Sequence, residues 1–127
     1  MTEKEFKRRT KRFALRVIRL VESFPKTQTG SVIGYQLLKA GTSVGANYRA
    51  ACRGKSAKDV IAKLGIVEEE ADESLFWMEL LIEAELVPEK RLADLMQEGN
   101  EILAMTVSSI KTLRKRRRKQ PNLKSKI

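Results

Sequence analysis

Apolar side chains recur at steps of three and four residues along four long stretches of this chain, and Pro25, Pro88 and Pro121 are its only prolines. No stretch alternates apolar and polar residues. Because an α-helix returns to the same face after three or four residues, the pattern predicts amphipathic helices and no strand. The predicted helices span about residues 3–23, 30–53, 57–86 and 89–116. Thr2 and Ser56 are the predicted N-caps of the first and third.

Four helices with short connections predict an all-α fold, an antiparallel up-down four-helix bundle. At 127 residues the chain is expected to be one domain. The bundle is predicted over 1–118, and a basic, disordered tail over 119–127.

Three glycines, Gly34, Gly41 and Gly45, fall inside the second helix and on one side of it. Each costs about 1 kcal/mol of helix propensity relative to alanine, so their grouping predicts close approach of a neighbouring backbone. A helix broken near Gly41 is the alternative. Gly54 is predicted to end this helix in the left-handed conformation.

The chain has no histidine, the commonest general base and transition-metal ligand. Cys52 therefore has no histidine partner and is expected to be a small, buried residue. The carboxylates of residues 68–73 favour a solvated face, or pairing with arginines, over a Mg²⁺ site. These observations predict no enzyme, no cofactor and no metal.

Targeting signals are not expected in this sequence. No apolar run approaches the roughly 18 residues of a membrane span, and the start of the chain is charged where a secretory signal is apolar. A single cysteine fits a reducing compartment. The sequence therefore predicts a cytoplasmic protein that does not bind membranes.

Charge is segregated along the chain. Residues 1–63 contain 15 basic and 4 acidic residues, residues 64–110 contain 2 and 12, and residues 111–127 contain 9 and none. Folding does not require such segregation, so the basic segments are expected to bind a polyanion. The predicted nucleic-acid-binding residues are Lys7, Arg8, Arg9, Lys11, Arg12, Arg16, Arg19, Arg49, Arg53, Lys55, Lys111, Arg114, Lys115, Arg116, Arg117, Arg118 and Lys119. A merely solubilising basic face is the alternative.

Aromatic residues do not interleave the C-terminal basic run, so recognition of the backbone or of shape is expected there instead of base stacking. Phe76 and Trp77 fall within the acidic third helix. They are predicted to lie in the core or in a subunit interface.

Short motifs carry a resemblance to a known family over about residues 6–115. They are Phe24-Pro25-Lys26, Gln36-Leu37-Leu38-Lys39-Ala40, Ser43-Val44, Asn47 and Arg53-Gly54-Lys55-Ser56, with a Glu-rich third helix. They resemble the four-helix-bundle proteins of the 23S rRNA intervening-sequence type. The same fold is similar to the accessory variability determinant of diversity-generating retroelements, a ring that binds nucleic acid and assists a reverse transcriptase.

This resemblance implies a homopentamer with a central channel and, in the retroelement version, a reverse transcriptase as partner. The chain departs from the family at one point. The family often has Asn-Ile-Ala-Glu-Gly in the second helix, whereas this chain has Asn47-Tyr48-Arg49-Ala50-Ala51. A contact through that glutamate or glycine is therefore not expected to be shared.

We expect a non-enzymatic, oligomeric scaffold that binds RNA or DNA through the first helix and the C-terminal basic run. The alternative is a purely structural homo-oligomer with no direct nucleic-acid role. In that alternative the acidic third helix of one subunit docks on the basic first helix of the next.

Overall fold

The computed structural model describes residues 1–119, which form four α-helices and no strand. The helices are α1 (Glu3–Glu22), α2 (Gln28–Ala51), α3 (Ala57–Glu83) and α4 (Glu89–Lys119). Each connection is five residues long, and successive helices pack against each other, while α4 meets α1 over a smaller contact. The all-α four-helix prediction is confirmed. Lys119, assigned to the tail by the sequence, is the last residue of α4, and residues 120–127 of that tail lie outside the described residues.

Side chains cap the N-termini of the first three helices. The Thr2 hydroxyl accepts a hydrogen bond from the Glu5 amide at 3.1 Å, and the Glu5 carboxylate accepts one from the Thr2 amide at 3.1 Å. The Ser56 hydroxyl accepts from the Asp59 amide at 3.1 Å, so both predicted N-caps are confirmed. Thr27 caps α2 in the same way, which explains why that helix begins two residues earlier than predicted. Such caps each contribute about 1 kcal/mol.

The prediction of a left-handed residue at Gly54 was wrong. No glycine within residues 1–119 has a positive φ, and Glu85, at the end of α3, adopts φ 59° instead. The Leu86 amide donates to the Leu81 carbonyl at 2.9 Å, and the Glu85 amide donates to the Ile82 carbonyl at 3.0 Å. These two bonds form a Schellman motif. It ends α3 at Glu83, three residues before the predicted end.

The core is formed by the apolar faces that the periodicity predicts. Its buried residues include Phe6, Phe13, Val17, Leu20, Ile33, Leu37, Val44, Val67, Ala71, Leu75, Met78, Leu92, Leu95 and Ile102. Thr10 is also fully buried, and its hydroxyl donates to the Phe6 carbonyl at 3.0 Å, which satisfies the polar group within its own helix. A smaller second cluster of Ala51, Leu64 and Ile110 lies at the end of the bundle where α2 finishes.

Helix α2 is continuous through Gly41, so the alternative of a broken helix was wrong. The side of α2 that carries the three glycines faces α1. A Cβ on Gly45 would lie 3.2 Å from the Thr10 carbonyl oxygen, which confirms the close backbone approach there. At Gly34 and Gly41 the nearest atoms belong instead to side chains of Phe24, Val21 and Val17. Helices α1 and α2 therefore pack closely, with small residues between them.

Candidate nucleic-acid interface

A groove of about 620 Å³ runs along the outside of the contact between α1 and α2. Its walls carry six cationic side chains: Lys4, Lys7, Arg8, Lys11, Arg49 and Arg53. Its floor is made of small residues: Ala14, Thr42, Gly45 and Ala46. Within the described chain no acidic residue lines it. We call this feature the cationic groove.

Helix periodicity explains why these side chains meet. The cations of α1 are spaced so that successive turns place Lys4, Lys7 and Lys11 on the side nearest α2. Thr42, Ala46 and Arg49 of α2 follow one another at steps of four and three, and Arg53 comes four residues later, in the turn just after the helix. Close packing at Gly45 brings the two rows together, because a larger residue there would push α1 outward. The result is two rows of positive charge on either side of a shallow, uncharged floor.

Carboxylates within residues 1–119 compensate little of this charge. Of the six cations, only Lys7 has an ion pair there, with Glu3 one turn away at 3.3 Å. Both side chains of the pair are exposed, 44% and 59%, and exposed pairs of this kind contribute little. The groove therefore presents a positive surface to solvent.

The predicted arginine row of α1 lies on the other side of the helix. A second cleft, of about 430 Å³, lies on that side. It is lined by Arg8, Arg9, Arg12 and Arg16, with Glu5 of α1 and Glu98 of α4. Arg19 is exposed one turn beyond Arg16. Only Arg8 lines both features, so the structure divides the cations of α1 between a groove beside α2 and a cleft beside α4.

Arg9 is bound to α4. Its Nε donates to Glu98 at 2.7 Å, and its Nη2 donates to Glu98 at 2.8 Å and to Glu101 at 2.5 Å. The hydrogen bonds to Glu98 raise the pKa of the Arg9 guanidinium, and the guanidinium holds the pKa of Glu101 below its usual range. With its side chain 23% exposed, Arg9 stabilises the α1–α4 contact, and its charge is compensated by two carboxylates although it lines the same cleft as Arg8, Arg12 and Arg16.

The C-terminal basic run extends past the packed part of the bundle. Leu113 is half-buried against the second cluster, whereas Lys111 and all six residues from Arg114 to Lys119 are exposed. The six residues correspond to about 9 Å of helix and point in all directions around its axis. Cations also interact favourably with the C-terminal end of a helix dipole, which explains part of this run without a ligand.

Lys55 is exposed in the connection between α2 and α3, where its backbone amide donates to the Asp59 carboxylate at 3.0 Å. The Lys63 ammonium donates to the same carboxylate at 2.7 Å and is the main cause of its lowered pKa. The backbone of Lys55 is therefore held by Asp59, and its side chain is exposed to solvent near the end of α2.

The outer face of α3 is acidic and partly apolar. Its exposed carboxylates are Glu69, Asp72, Glu73, Glu79 and Glu83. None of these five has an ion pair within residues 1–119. Ile66 is 40% exposed and Phe76 is 53% exposed on the same face. Trp77 is half-buried against the core, with the Phe76 ring edge-on at 5.0 Å, so the two aromatic residues have different environments.

Cys52 is half-buried beside Tyr48 at the end of α2, not fully buried as expected. Burial raises the pKa of the Cys52 thiol and of the Tyr48 hydroxyl, so both groups are neutral near pH 7.

In the part of the chain that the structure covers, no three metal-ligating side chains cluster. None of the four helices is long and apolar enough there to cross a bilayer.

The sequence prediction missed Lys4 and the small residues of the groove floor. Their signal is the shared spacing: positions 4, 7 and 11 fall on one face of α1, and positions 42, 46 and 49 fall on one face of α2, which position 53 continues just past the helix end. Counting arginines and lysines along the chain does not show that these two faces adjoin.

This chain matches a family model and solved structures of known proteins. The family model of the 23S rRNA-intervening sequence protein matches residues 2–108. A crystal structure of a protein with unknown function from the S23 ribosomal protein family of Bacteroides thetaiotaomicron VPI-5482 superposes with a TM-score of 0.81 at 34% identity, over 87% of this chain and 99% of that chain. No curated protein matches. Because the family model covers most of its length, this chain belongs to the 23S rRNA-intervening sequence protein family.

Proposed function

We propose that this protein is a non-catalytic nucleic-acid-binding scaffold and that the cationic groove binds the phosphodiester backbone of RNA or DNA. The single observation that supports this most is the groove itself. Six cations face one another across small residues, no acidic residue within residues 1–119 lines the groove, and only Lys7 has a carboxylate partner there, the exposed Glu3. Phosphate oxygens are the natural ligands of clustered guanidinium and ammonium groups. The family name refers to an rRNA intervening sequence, which is consistent with an RNA ligand.

Binding through this groove is expected to be tolerant of sequence. The groove-lining residues supply charges, a hydroxyl and small apolar groups, with no amide or exposed aromatic side chain to read base edges. The exposed basic run of α4 adds further phosphate contacts. Sequence-tolerant binding of this kind releases counterions and weakens steeply as salt increases.

The test measures the affinity for a fluorescent single-stranded RNA by anisotropy over a range of salt concentrations. If all six groove cations neutralise a phosphate, the logarithm of affinity falls with the logarithm of salt with a slope near −4. The Lys11→Gln/Arg49→Gln variant should bind more weakly and flatten this slope by about 1 to 2. Replacing residues 114–118 with serine should also lower the affinity.

The matched control is Lys26→Gln/Lys90→Gln, which removes the same net charge from exposed positions outside the groove. It should leave both the affinity and the salt slope close to those of the wild type. Equal effects of the two double variants would show that net charge alone drives binding, and would refute the groove as the site.

Self-association is a second candidate role, favoured by the outer face of α3. Helices α1 and α3 each contact α2 and α4 but are not neighbours, so their outer faces point in opposite directions. One face carries exposed arginines with Leu15 and Ile18, and the other carries exposed carboxylates with Ile66 and Phe76. Two complementary faces on opposite sides of one subunit produce head-to-tail contacts, which close into rings or continue as filaments.

We therefore include a homo-oligomer in the proposal, with the pentameric ring as the specific form that the family resemblance implies. Light scattering should then give five times the mass of the 14.5 kDa chain. The Arg12→Glu/Arg19→Glu variant should reduce that mass, because it places carboxylates opposite carboxylates. A monomeric wild type would refute the oligomer. We also propose that the oligomer assists a reverse transcriptase. Co-purification with a reverse transcriptase encoded beside this gene tests that part of the proposal.

A further inference from the structure

A cleft lies beyond the first turn of α1, between the ends of α2 and α4. Arg9 is paired with Glu98 and Glu101, and the first turn of α1 lies near Met105. Helix α4 continues to Lys119, about 14 residues or 21 Å farther. The space left between the ends of α2 and α4 is about 410 Å³ and joins a second space of about 290 Å³ through shared lining residues. We call this the end cleft.

The walls of the end cleft are polar on one side and apolar at the base. Ser108, Ser109 and Thr112 of α4 line it with hydroxyl groups, while the buried side chains of Ala51 and Leu64 form its floor. A helix bound in the cleft would pack its apolar face against an apolar wall. The hydroxyl groups therefore argue against a protein helix as the occupant. An apolar floor with hydrogen-bonding groups around it suits a flat ring with polar edges.

Tyr48, at the edge of the cleft, is held in place by the surrounding structure. The Tyr48 ring packs edge-on against Phe6, with ring centroids 4.6 Å apart. Its hydroxyl is protonated near neutral pH, and burial raises its pKa further, so it can donate a hydrogen bond. Glu3 supplies a carboxylate on the rim, which can accept from an amino group.

The end cleft lies beside the cationic groove. Lys4 of the groove follows Glu3 of the cleft, and Arg49 and Arg53 of the groove follow Tyr48 and Cys52 of the cleft. The two features therefore occupy neighbouring faces of the same helix ends. Arg116 adds a cation on the far side of the cleft. A chain of phosphates in the groove would carry its next nucleotide toward the opening of the cleft.

We propose that the end cleft receives one base of a nucleic-acid strand whose phosphates lie in the cationic groove. This inference rests on the proposed function and adds to it a contact with a base. The volume exceeds that of a single base, and Ser, Thr and Tyr hydroxyls can donate to or accept from the edge of any base. The contact therefore favours single strands over duplexes without selecting a sequence, because a paired base cannot enter.

The test compares two single strands of about 15 nucleotides with equal numbers of phosphates, one with bases and one abasic. The wild type should bind the base-bearing strand about tenfold more tightly at low salt. Ser109→Phe fills the cleft from an exposed position and changes no charge. In that variant the affinity for the base-bearing strand should fall to that for the abasic strand, which should be unchanged.

Ser31→Phe is the matched control, since Ser31 is exposed on the first turn of α2, at the opposite end of the bundle. It should keep the tenfold preference, and circular dichroism should show that both variants are folded. Equal wild-type affinity for the two strands would refute the base contact and leave the groove proposal intact. A preference that survives Ser109→Phe would also refute it. Binding to neither strand would refute both proposals.

Discussion

Alanine in place of Gly41 and in place of Gly65 is the same chemical change in two helix interiors, but we expect it to stabilise the protein only at Gly65. A Cβ on Gly65 would have no heavy atom within 4 Å among the described residues. A Cβ on Gly41 would lie 2.8 Å and 2.9 Å from the two methyl groups of Val17 and 3.1 Å from its Cβ. Val17 is a residue of α1 and is fully buried.

The magnitude follows from two terms. Replacing glycine with alanine inside a helix stabilises the protein by about 1 kcal/mol through helix propensity and a less flexible unfolded chain. Gly65→Ala should show this gain in full. At Gly41 the gain is opposed by overpacking of about 1–3 kcal/mol, because the β-branched Val17 cannot turn aside and α1 itself must move. Since propensity cancels between the variants, their difference measures the overpacking alone.

Urea unfolding followed by circular dichroism checks this at one protein concentration, since an oligomer would make stability depend on concentration. Gly65→Ala should unfold at higher urea and melt roughly 3–5 °C higher than the wild type. Gly41→Ala should unfold at lower urea than Gly65→Ala by an amount equivalent to about 1–3 kcal/mol. Equal stability of the two variants would show that α1 and α2 do not pack at Gly41 as tightly as described.

Three further predictions concern the ends and the polar contacts of the helices. Glu85→Gly should raise the free energy of unfolding by about 0.5–1 kcal/mol, because glycine adopts φ 59° without strain; Glu85→Ala, with the strain retained, should not. Arg9→Met should lower it by about 1–3 kcal/mol in urea unfolding, since Glu98 is only 19% exposed and loses its cation; Arg9→Met/Glu98→Met should recover part of this loss. Because Arg9 lowers the pKa of Glu101 and Lys63 lowers that of Asp59, both pairs stabilise the fold above the unfolded pKa values. The melting temperature should therefore fall below about pH 4, where acid protonates these two carboxylates. It should fall less in Arg9→Met, because Glu101 no longer has a cation to lose.

The helices and the core could be predicted from the sequence because both depend on local spacing. Apolar residues at steps of three and four identify the buried face of a helix whatever packs against it, and Thr2 and Ser56 act on amides only three residues away. The end of α3 could not be predicted in this way. Burial of Val87, with Leu86 half-buried against the core, directs the chain through a left-handed residue. That residue is Glu85. Glycine or asparagine usually takes this conformation, so the sequence around Glu85 does not indicate it.

For the candidate site, the sequence shows which cations are present but not how they are arranged. Spacing shows which residues of α1 point away from its core face, but it does not show which neighbour lies on either side. Lys7 and Arg12 therefore belong to one basic segment in the sequence, although one lies beside α2 and the other beside α4. Arg9 has its carboxylate partner 89 residues away in the chain, and no local pattern distinguishes it from the exposed cations around it.

Because α1 presents its cations on two sides, nucleic-acid binding and self-association should respond to different substitutions. Lys7→Gln/Lys11→Gln removes charge from the groove and should weaken RNA binding without changing the mass in light scattering. Arg12→Glu/Arg19→Glu alters the outer face and should reduce the mass.

Charge reversal on the partner surface provides the decisive step. If α1 of one copy docks on α3 of the next, Glu69→Arg/Glu73→Arg combined with Arg12→Glu/Arg19→Glu restores opposite charges across the contact and should restore the mass. The combined variant keeps the net charge of the wild type, so a general effect of charge cannot explain a recovery. If the mass recovers, the outer arginines of α1 face the carboxylates of α3 in another copy. If the combined variant stays dissociated, those arginines do not face α3 of another copy, and they become candidates for RNA binding beside the groove.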